Sequence, residues 1–357
     1  MSSFTNPLSS LTQRIRLNAH SRQQGVWEMG RRLVERERAP VCPTPYTVVE
    51  NEGCSSLMYF AASTPTPHPT PIFISTSLIN RYYILDLMDG KSLIAYLTEQ
   101  GHDVYCVDWG SPSYQENDMG FDDYIAGRLN RFVNTALLHS KKERVHLFGH
   151  CLGGTIGTML ASVDDSRFKT IVNLTTPISF IDDGMLSAWT RAPFFDPKAL
   201  TDAFGDVPSW LSQPTFMSLR PMGVLTKWLR FYQQSGNQKF LDFFHSMETW
   251  TSDNVPIPKK FYVELIDQLY RKNSLYEGSL ELAGIPVLVE EIEVPVFTIC
   301  ARTDHIVPLK SAQSGHSLYH NPKSRLEIFS GGHIGVVIGG KARHSLWPQL
   351  SDWFQSH

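Results

Sequence analysis

Short apolar runs alternate with longer amphipathic stretches along most of this chain. Apolar runs bounded by turn-forming residues are typical of strands buried on both faces of a parallel sheet. The stretches between them have helical spacing, and the alternation predicts right-handed βαβ units around a mostly parallel sheet flanked by helices. The predicted strands are 72–75, 103–109, 145–148, 169–174, 295–301 and 324–330, and the predicted helices are 92–100, 122–138, 154–163, 309–318 and 342–353.

The alternation is interrupted between about residue 178 and residue 290. This segment is rich in aromatic residues, has helix-like spacing and lacks a clear strand, so we predict a helical cap inserted over the edge where the strands end. A bulky extension of the core without a gating role is the alternative. The core then comprises 46–177, which opens with a hairpin, and 291–357. The polar, Arg-rich residues 1–45 are predicted to form a peripheral helical segment.

The composition indicates a globular enzyme. Of the 357 residues 42% are hydrophobic, and the net charge of −3 includes no basic excess that would favour nucleic acid. The five cysteines are few, odd in number and without metal-ligand spacing, so we expect a reducing compartment, no disulfide framework and no metal site. No apolar run approaches the roughly 18 residues of a membrane span, and the N-terminus does not resemble a signal peptide, which predicts a cytoplasmic protein.

The strongest candidate for chemistry is the turn Gly149-His150-Cys151-Leu152-Gly153, which joins a predicted strand to a predicted helix. Glycines on both sides of a cysteine are typical of a nucleophile elbow, a strained turn that exposes its central residue above the sheet. The N-terminus of the following helix favours a thiolate at Cys151, and the backbone N–H of Leu152 is placed to form half of an oxyanion hole. A buried structural cysteine in an ordinary turn is the alternative explanation.

An acid and a base follow at the ends of two later strands. Asp304 comes just after 295–301, and His333 comes just after 324–330. The order of nucleophile, acid and histidine is that of the α/β-hydrolase triad, and the carboxyl ends of parallel strands meet at the ligand crevice. We therefore predict an α/β-hydrolase fold in which Asp304 can orient His333 while His333 accepts the proton of Cys151.

His305 is a second candidate for the base because it lies beside Asp304 in the sequence. It lacks the Gly-Gly turn that precedes His333, so we favour a loop histidine without a catalytic role. The remaining histidines are expected to lie outside the site. A scaffold that kept the fold and lost the chemistry would not be expected to retain the nucleophile, the acid and the base together.

At these positions the sequence resembles the polyhydroxyalkanoate synthases, in which cysteine replaces the serine of lipases. The resemblance covers nearly the whole chain from about residue 45, and the first 45 residues match least. It rests on the segments 78–86, 103–110, 122–125, 149–154, 186–189, 303–308 and 331–335.

The resemblance implies a role for each site residue. Cys151 holds the growing chain as a thioester, and His333 activates Cys151. Asp304 activates the 3-hydroxyl of the incoming acyl-CoA more than it orients the histidine, so Asp304→Asn is expected to become acylated without elongating. A second oxyanion donor comes from the loop after the first central strand, for which we choose the backbone N–H of Ile79.

The resemblance also implies a substrate and partners. The substrate is an (R)-3-hydroxyacyl-CoA, expected to be 3-hydroxybutyryl-CoA; CoA is part of the substrate and a product, and no separate cofactor is expected. The chain is too short for the extra N-terminal domain of class I and II synthases, so it resembles the class III catalytic subunit, which works with a PhaE-type subunit. Class IV, with a PhaR-type subunit, is the close alternative. We expect a homodimer or larger assembly on cytoplasmic polyester granules.

A different function remains open at this stage. A cysteine-nucleophile hydrolase, such as a thioesterase or a dienelactone-hydrolase-like enzyme, could use the same elbow, acid and base. The products distinguish the two functions, because a synthase releases CoA and polymer whereas a hydrolase releases free acid. The sequence identifies no residues that contact CoA.

Overall fold

The computed structural model describes residues 21–32, 35, 37–219 and 221–357. The chain divides into two compact units. The larger unit comprises Cys42–Leu219 and Asp253–His357, and the smaller comprises Met1–Val41 and Arg220–Ser252. The predicted cap, 178–290, therefore contributes to both units, and the role of these residues as a lid stays a prediction.

Within the described residues, an eight-stranded sheet lies at the centre of the larger unit, in the order β1-β2-β4-β3-β5-β6-β7-β8. In this order all neighbouring strands from β4 to β8 are parallel, whereas β2 is antiparallel to both β1 and β4. The predicted hairpin and mostly parallel sheet are thus confirmed. The strands are β1 (Thr47–Glu52), β2 (Ser55–Phe60), β3 (Ile72–Ser75), β4 (Val104–Asp108), β5 (Val145–His150), β6 (Phe168–Leu174), β7 (Val296–Ala301) and β8 (Arg325–Phe329).

Helices between the strands flank this sheet, as predicted. Ser92 caps the first of them by accepting a hydrogen bond from the backbone N–H of Ala95 at 2.8 Å. Two of the predicted helices, 122–138 and 342–353, begin with π-helical turns, and 309–318 ends in a 3-10 turn. The α-helices are Leu93–Glu99, Asn130–Ser140, Leu152–Val163, Leu309–Ser314, Gly335–Ile338 and Trp347–Ser356; the π-helices are Asp122–Leu129 and Ala342–Leu346; the 3-10 helices are Tyr82–Leu85, Tyr114–Glu116, Val289–Glu291 and Gly315–Leu318.

The inserted part of the larger unit is mainly helical. Its α-helices are Met185–Thr190, Pro197–Phe204, Ser209–Ser218 and Lys259–Glu264, and a π-helix follows at Leu265–Arg271. Two pairs of two-residue strands interrupt it: Asp206–Val207 with Ile257–Pro258, and Glu281–Leu282 with Ile285–Pro286. Such short strands leave no periodic signal in the sequence.

The smaller unit contains a helix over 21–32 and the helices Pro221–Gln234 and Gln238–Ser252. Its buried core is formed by Met29, Phe231, Leu241 and Phe244. Gly25 allows close packing there, since an added Cβ would lie 1.9 Å from the carbonyl oxygen of Ser235. The predicted helix before residue 21 lies outside the described residues. None of the helices in the described part of the chain has the length and apolar character needed to cross a bilayer.

Candidate active site

The turn after β5 has the strained geometry of a nucleophile elbow. Cys151 has φ 55° and ψ −131°, and the helix Leu152–Val163 begins immediately after it. A Cβ added to Gly149 would lie 2.2 Å from the Cα of Gly154, and one added to Gly153 would lie 2.1 Å from the carbonyl oxygen of Ser75. The two glycines therefore allow the elbow to pack against its own helix and against the end of β3.

Asp304 and His333 meet just beyond the ends of β7 and β8. The Nδ1 atom of His333 lies 2.7 Å from the Oδ2 atom of Asp304. The other carboxylate oxygen of Asp304 accepts hydrogen bonds from the backbone N–H groups of Ile306 and Val307, both at 2.9 Å. The Asp304 side chain is 0% exposed. Both of its oxygens are thus engaged by the protein, which holds the carboxylate in one orientation.

Cys151 and His333 are electrostatically coupled. Burial by itself lowers the pKa of His333, but the charge of Cys151 and hydrogen bonds to Asp304 and Cys151 outweigh it and raise this pKa to about 10. The pair with Asp304 and the contact with Cys151 therefore favour the protonated form of the His333 ring. The structure thus brings the three predicted residues together, and their roles as nucleophile, base and acid stay a prediction.

The two predicted oxyanion donors lie beside Cys151 on the wall of one cavity. Leu152 is the first residue of the elbow helix, where a backbone N–H has no partner within the helix. The N–H of Ile79 makes a long contact, 3.4 Å, with the hydroxyl of Ser77. Both groups stand on the elbow side of the sheet, and their role in stabilising an oxyanion stays a prediction.

His150 belongs to this site, which corrects the expectation that the remaining histidines lie outside it. Its ring centroid lies 5.5 Å from that of His333, and its buried Nε2 atom has no hydrogen-bond partner among the described residues. Burial, together with the charge of His333, lowers the pKa of His150 to about 3. A neutral imidazole therefore lies beside a charged one. The sequence contained one signal for the placement of His150 in the site, namely its position next to Cys151 in the elbow.

His305 is exposed, and the carboxylate of Asp304 bonds to His333 instead. One oxygen of Asp304 accepts hydrogen bonds from the backbone N–H groups that follow His305 in the loop. The other oxygen is bonded to His333, which comes from the end of the adjacent strand.

A cavity of about 270 Å³ opens beside Cys151. The inserted helices and the loop after Asp304 supply most of its wall, and its lining is predominantly apolar. Large side chains of the insertion line it, including Leu186, Trp189, Phe195, Leu211, Phe216 and Ile266. A predominantly apolar wall of this kind suits an apolar group and offers water few hydrogen-bond partners. Within the described residues, no group of three His, Cys, Asp or Glu side chains could hold a metal ion.

The chain matches two family models. One, for the alpha/beta hydrolase fold, covers residues 85–339 and confirms the predicted fold. The other, for the N-terminus of poly-beta-hydroxybutyrate polymerase (PhaC), covers residues 16–97. A poly(3-hydroxyalkanoate) polymerase subunit PhaC from Haloferax mediterranei is 33% identical over 347 residues, which are 93% of this chain and 70% of that protein. The chain belongs to the PhaC polymerase family.

Other relatives agree with this assignment. A PhaC subunit from Allochromatium vinosum is 30% identical over 81% of each chain. The family match begins at residue 16, so the resemblance extends further toward the N-terminus than the sequence motifs indicated. Among solved structures, a putative lipase from Sulfolobus solfataricus superimposes with a TM-score of 0.55 at 14% identity, covering 87% of this chain and 99% of that one. That likeness concerns the fold alone.

Proposed function

We propose that this PhaC-family chain joins (R)-3-hydroxyacyl groups into a polyester, taking each group from a CoA thioester and releasing CoA. One observation carries the proposal: Cys151, coupled to a charged His333, lies on the wall of an apolar cavity. The names of its relatives specify 3-hydroxyalkanoate as the polymer unit. We take 3-hydroxybutyryl-CoA as the first substrate to test.

The first half of the reaction is acyl transfer to the enzyme. The thiolate of Cys151 attacks the thioester carbonyl, and the N–H groups of Leu152 and Ile79 stabilise the oxyanion. The carbon–sulfur bond to CoA breaks, and the imidazolium of His333 protonates the departing thiolate. Exchange of one thioester for another is nearly isoenergetic, so the acyl group stays available for the next transfer. A serine ester would hold it more firmly.

The second half is attack by a 3-hydroxyl on the acyl-enzyme. A secondary alcohol is a poor nucleophile and needs a base. The resemblance assigns this role to Asp304, but both oxygens of Asp304 are engaged and its side chain is shielded from solvent. The geometry favours His333, left neutral once it has protonated CoA, as the base that accepts the hydroxyl proton, with Asp304 orienting the ring and stabilising its charge. The new ester bond forms as the carbon–sulfur bond to Cys151 breaks, and the thiolate and the protonated ring are restored.

Single-turnover measurement of CoA release from 3-hydroxybutyryl-CoA, with analysis of product size, tests the proposal. Wild type is expected to release CoA and form polymer, and Cys151→Ala is expected to release none. Free 3-hydroxybutyrate as the main product would instead identify a hydrolase. Mass spectrometry of the peptide containing Cys151 follows the covalent intermediate.

Asp304→Asn separates the two roles of the acid. If Asp304 orients His333, acylation of Cys151 and elongation should fall together; if Asp304 is the base for the hydroxyl, acylation should survive and a short acyl-enzyme should accumulate. We expect the first outcome. Asp165→Asn is a matched control, because that carboxylate also accepts two backbone N–H groups, from Glu293 and Val294, at 2.8 and 3.2 Å.

We further propose that the chain works in the cytoplasm at the surface of polyester granules, as a homodimer or larger assembly with a PhaE-type subunit; a PhaR-type subunit is the alternative. The relatives' names describe PhaC as a subunit. Exposed aromatic side chains of the insertion, Phe194, Phe204 and Trp210, offer an apolar surface for a partner or a granule. A lag in the activity of the purified chain, removed by adding the partner, would support this proposal, and full activity without a lag would contradict it.

A further inference from the structure

The hydroxyl groups that line the cavity fall into two classes. Those of Thr190, Ser212 and Thr215 donate to carbonyl oxygens of their own helices, at 2.7, 3.2 and 2.9 Å. Those of Tyr262 and Tyr270 have no hydrogen-bond partner among the described residues, although both tyrosines line the cavity. Neither hydroxyl is among the fully buried side-chain atoms that lack a partner, so both are open to the cavity. Two donors are therefore available to whatever occupies the chamber.

Tyr270 is the donor nearer the chemistry. Burial raises its pKa, and the charge of Cys151 raises it further, so the phenol is within electrostatic reach of the nucleophile. Its ring packs edge-on against Phe180 with centroids 4.9 Å apart, and its backbone carbonyl accepts a hydrogen bond from Nε of Arg191 at 2.8 Å. The side chain is thus held in place, and the phenol keeps its proton at neutral pH.

Tyr262 also lines the cavity and belongs to the preceding helix, Lys259–Glu264. Burial raises its pKa to about 12, so it also remains a donor. The phenols of Tyr262 and Tyr270 interact electrostatically with each other. The chamber therefore presents two neighbouring donors on a predominantly apolar wall that Cys151 also lines.

This pattern matches one kind of acyl chain. A plain hydrocarbon chain would cover both hydroxyls without offering an acceptor, at the cost of two unpaired polar groups. A 3-hydroxyacyl group carries an oxygen at carbon 3, and a polyester carries an ester carbonyl in every unit. We propose that Tyr270 donates a hydrogen bond to the 3-oxygen of the acyl group on Cys151, and that Tyr262 donates to the ester carbonyl of the next unit.

The inference rests on the proposed function and predicts selectivity within it. Tyr270 should favour acylation by 3-hydroxybutyryl-CoA over butyryl-CoA, which lacks the 3-oxygen. One neutral hydrogen bond corresponds to about a three- to tenfold difference in rate constant. Tyr270→Phe should reduce the ratio of the two acylation rate constants by about that factor, chiefly by slowing the hydroxylated substrate.

A third thioester distinguishes the two tyrosines. A CoA thioester of a 3-hydroxybutyrate dimer, methylated at its terminal hydroxyl, carries one ester carbonyl beyond the first unit. Tyr262→Phe should slow acylation by this dimer about three- to tenfold more than it slows acylation by the monomer. The readout in every case is the burst of CoA release under single-turnover conditions.

Tyr319→Phe is the matched control. Its phenol is also buried and accepts a hydrogen bond from Nδ2 of Asn173 at 3.0 Å, but Tyr319 does not line the cavity. This variant should lose stability and keep the wild-type ratio. An unchanged ratio in Tyr270→Phe, together with an unchanged dimer rate in Tyr262→Phe, would overturn the inference. The proposed function would still stand in that case if wild type formed polymer. No CoA release by wild type from any thioester would overturn both.

Discussion

Three buried histidines should make the folded protein sensitive to mild acid. His102, His146 and His150 are 0%, 1% and 5% exposed. Burial is the main cause that lowers their pKa values, to about 4, about 3 and about 3, with smaller contributions from His68, Lys169 and His333 respectively. Each ring is therefore neutral in the folded protein under conditions in which an unfolded chain would protonate it.

The magnitude follows from the difference between the folded and unfolded pKa values. A histidine in an unfolded chain has a pKa of about 6.5, so below that pH the unfolded state binds more protons and the free energy of unfolding falls. The stability that each neutral buried histidine contributes is fully present above pH 6.5 and is lost progressively as the pH falls to the folded pKa. Between pH 7 and pH 5 each histidine removes about 2 kcal/mol, and the three together remove about 6 kcal/mol. That loss is comparable with the whole stability of many domains, about 5–15 kcal/mol.

Other groups set the limits of this window. The pKa of His333 is raised, so His333 is already protonated in the folded state and adds no loss below pH 6.5. Burial raises the pKa values of Asp86 and Asp108, which take up protons in the folded state at low pH and oppose the loss. The comparison therefore stops at pH 5, above the ordinary range of carboxyl titration.

Urea denaturation of wild type and His146→Gln at pH 7, 6 and 5 measures the effect. The wild-type free energy of unfolding should fall by about 6 kcal/mol over this range, and that of His146→Gln by about 4 kcal/mol, because one titrating ring is gone. The exposed His344 provides a control, and His344→Gln should show the wild-type dependence. Identical pH dependence in wild type and His146→Gln would refute the reasoning, whatever the absolute stabilities.

Three further predictions concern the elbow and the core. Cys151→Ser should retain the fold and lose most single-turnover CoA release, because a hydroxyl does not ionise beside an imidazolium as a thiol does; wild-type release would contradict this. Gly153→Ala should lower the melting temperature or prevent folding, since its Cβ would meet backbone atoms within 2.6 Å, whereas Gly340→Ala, with no atom within 4 Å, should be neutral. Arg128→Met should lower the free energy of unfolding by about 3 kcal/mol, because it leaves Glu116, now 2.7 Å from Arg128, without its buried partner; a loss below 1 kcal/mol in urea denaturation would argue against this pair's importance.

The sheet could be predicted because its strands have a simple physical signature. A strand buried on both faces needs apolar residues at nearly every position, as in β7. The prediction was less complete for β5, which continues through Gly149 and His150 beyond the apolar run. Both of those residues are buried. A polar residue at a buried position departs from the pattern, and its burial depends on neighbours that the local sequence does not reveal.

The cavity and the two units could not be predicted in the same way. The wall of the cavity is assembled from residues as far apart as Ile79 and Val307, so no local pattern describes it. Periodicity identifies a helical face without identifying what covers it. For the same reason the sequence did not indicate that Arg220–Ser252 would group with the N-terminal residues. The orientation of Asp304 was also hidden, because its acceptor bonds come from backbone N–H groups.

The difference between a polyester synthase and a lipase on this fold lies around the triad more than within it. An elbow, an acid on one strand end and a histidine on the next are common to both, and the structural likeness to lipases reflects that shared frame. Transfer to a hydroxyl instead of water requires an acyl-enzyme that lasts until the hydroxyl arrives. The proposed thioester on Cys151 stays reactive toward exchange, and the predominantly apolar wall of the chamber offers water few partners beside it. The phenols of Tyr262 and Tyr270 then offer hydrogen bonds that an oxygenated chain can accept and a hydrocarbon chain cannot.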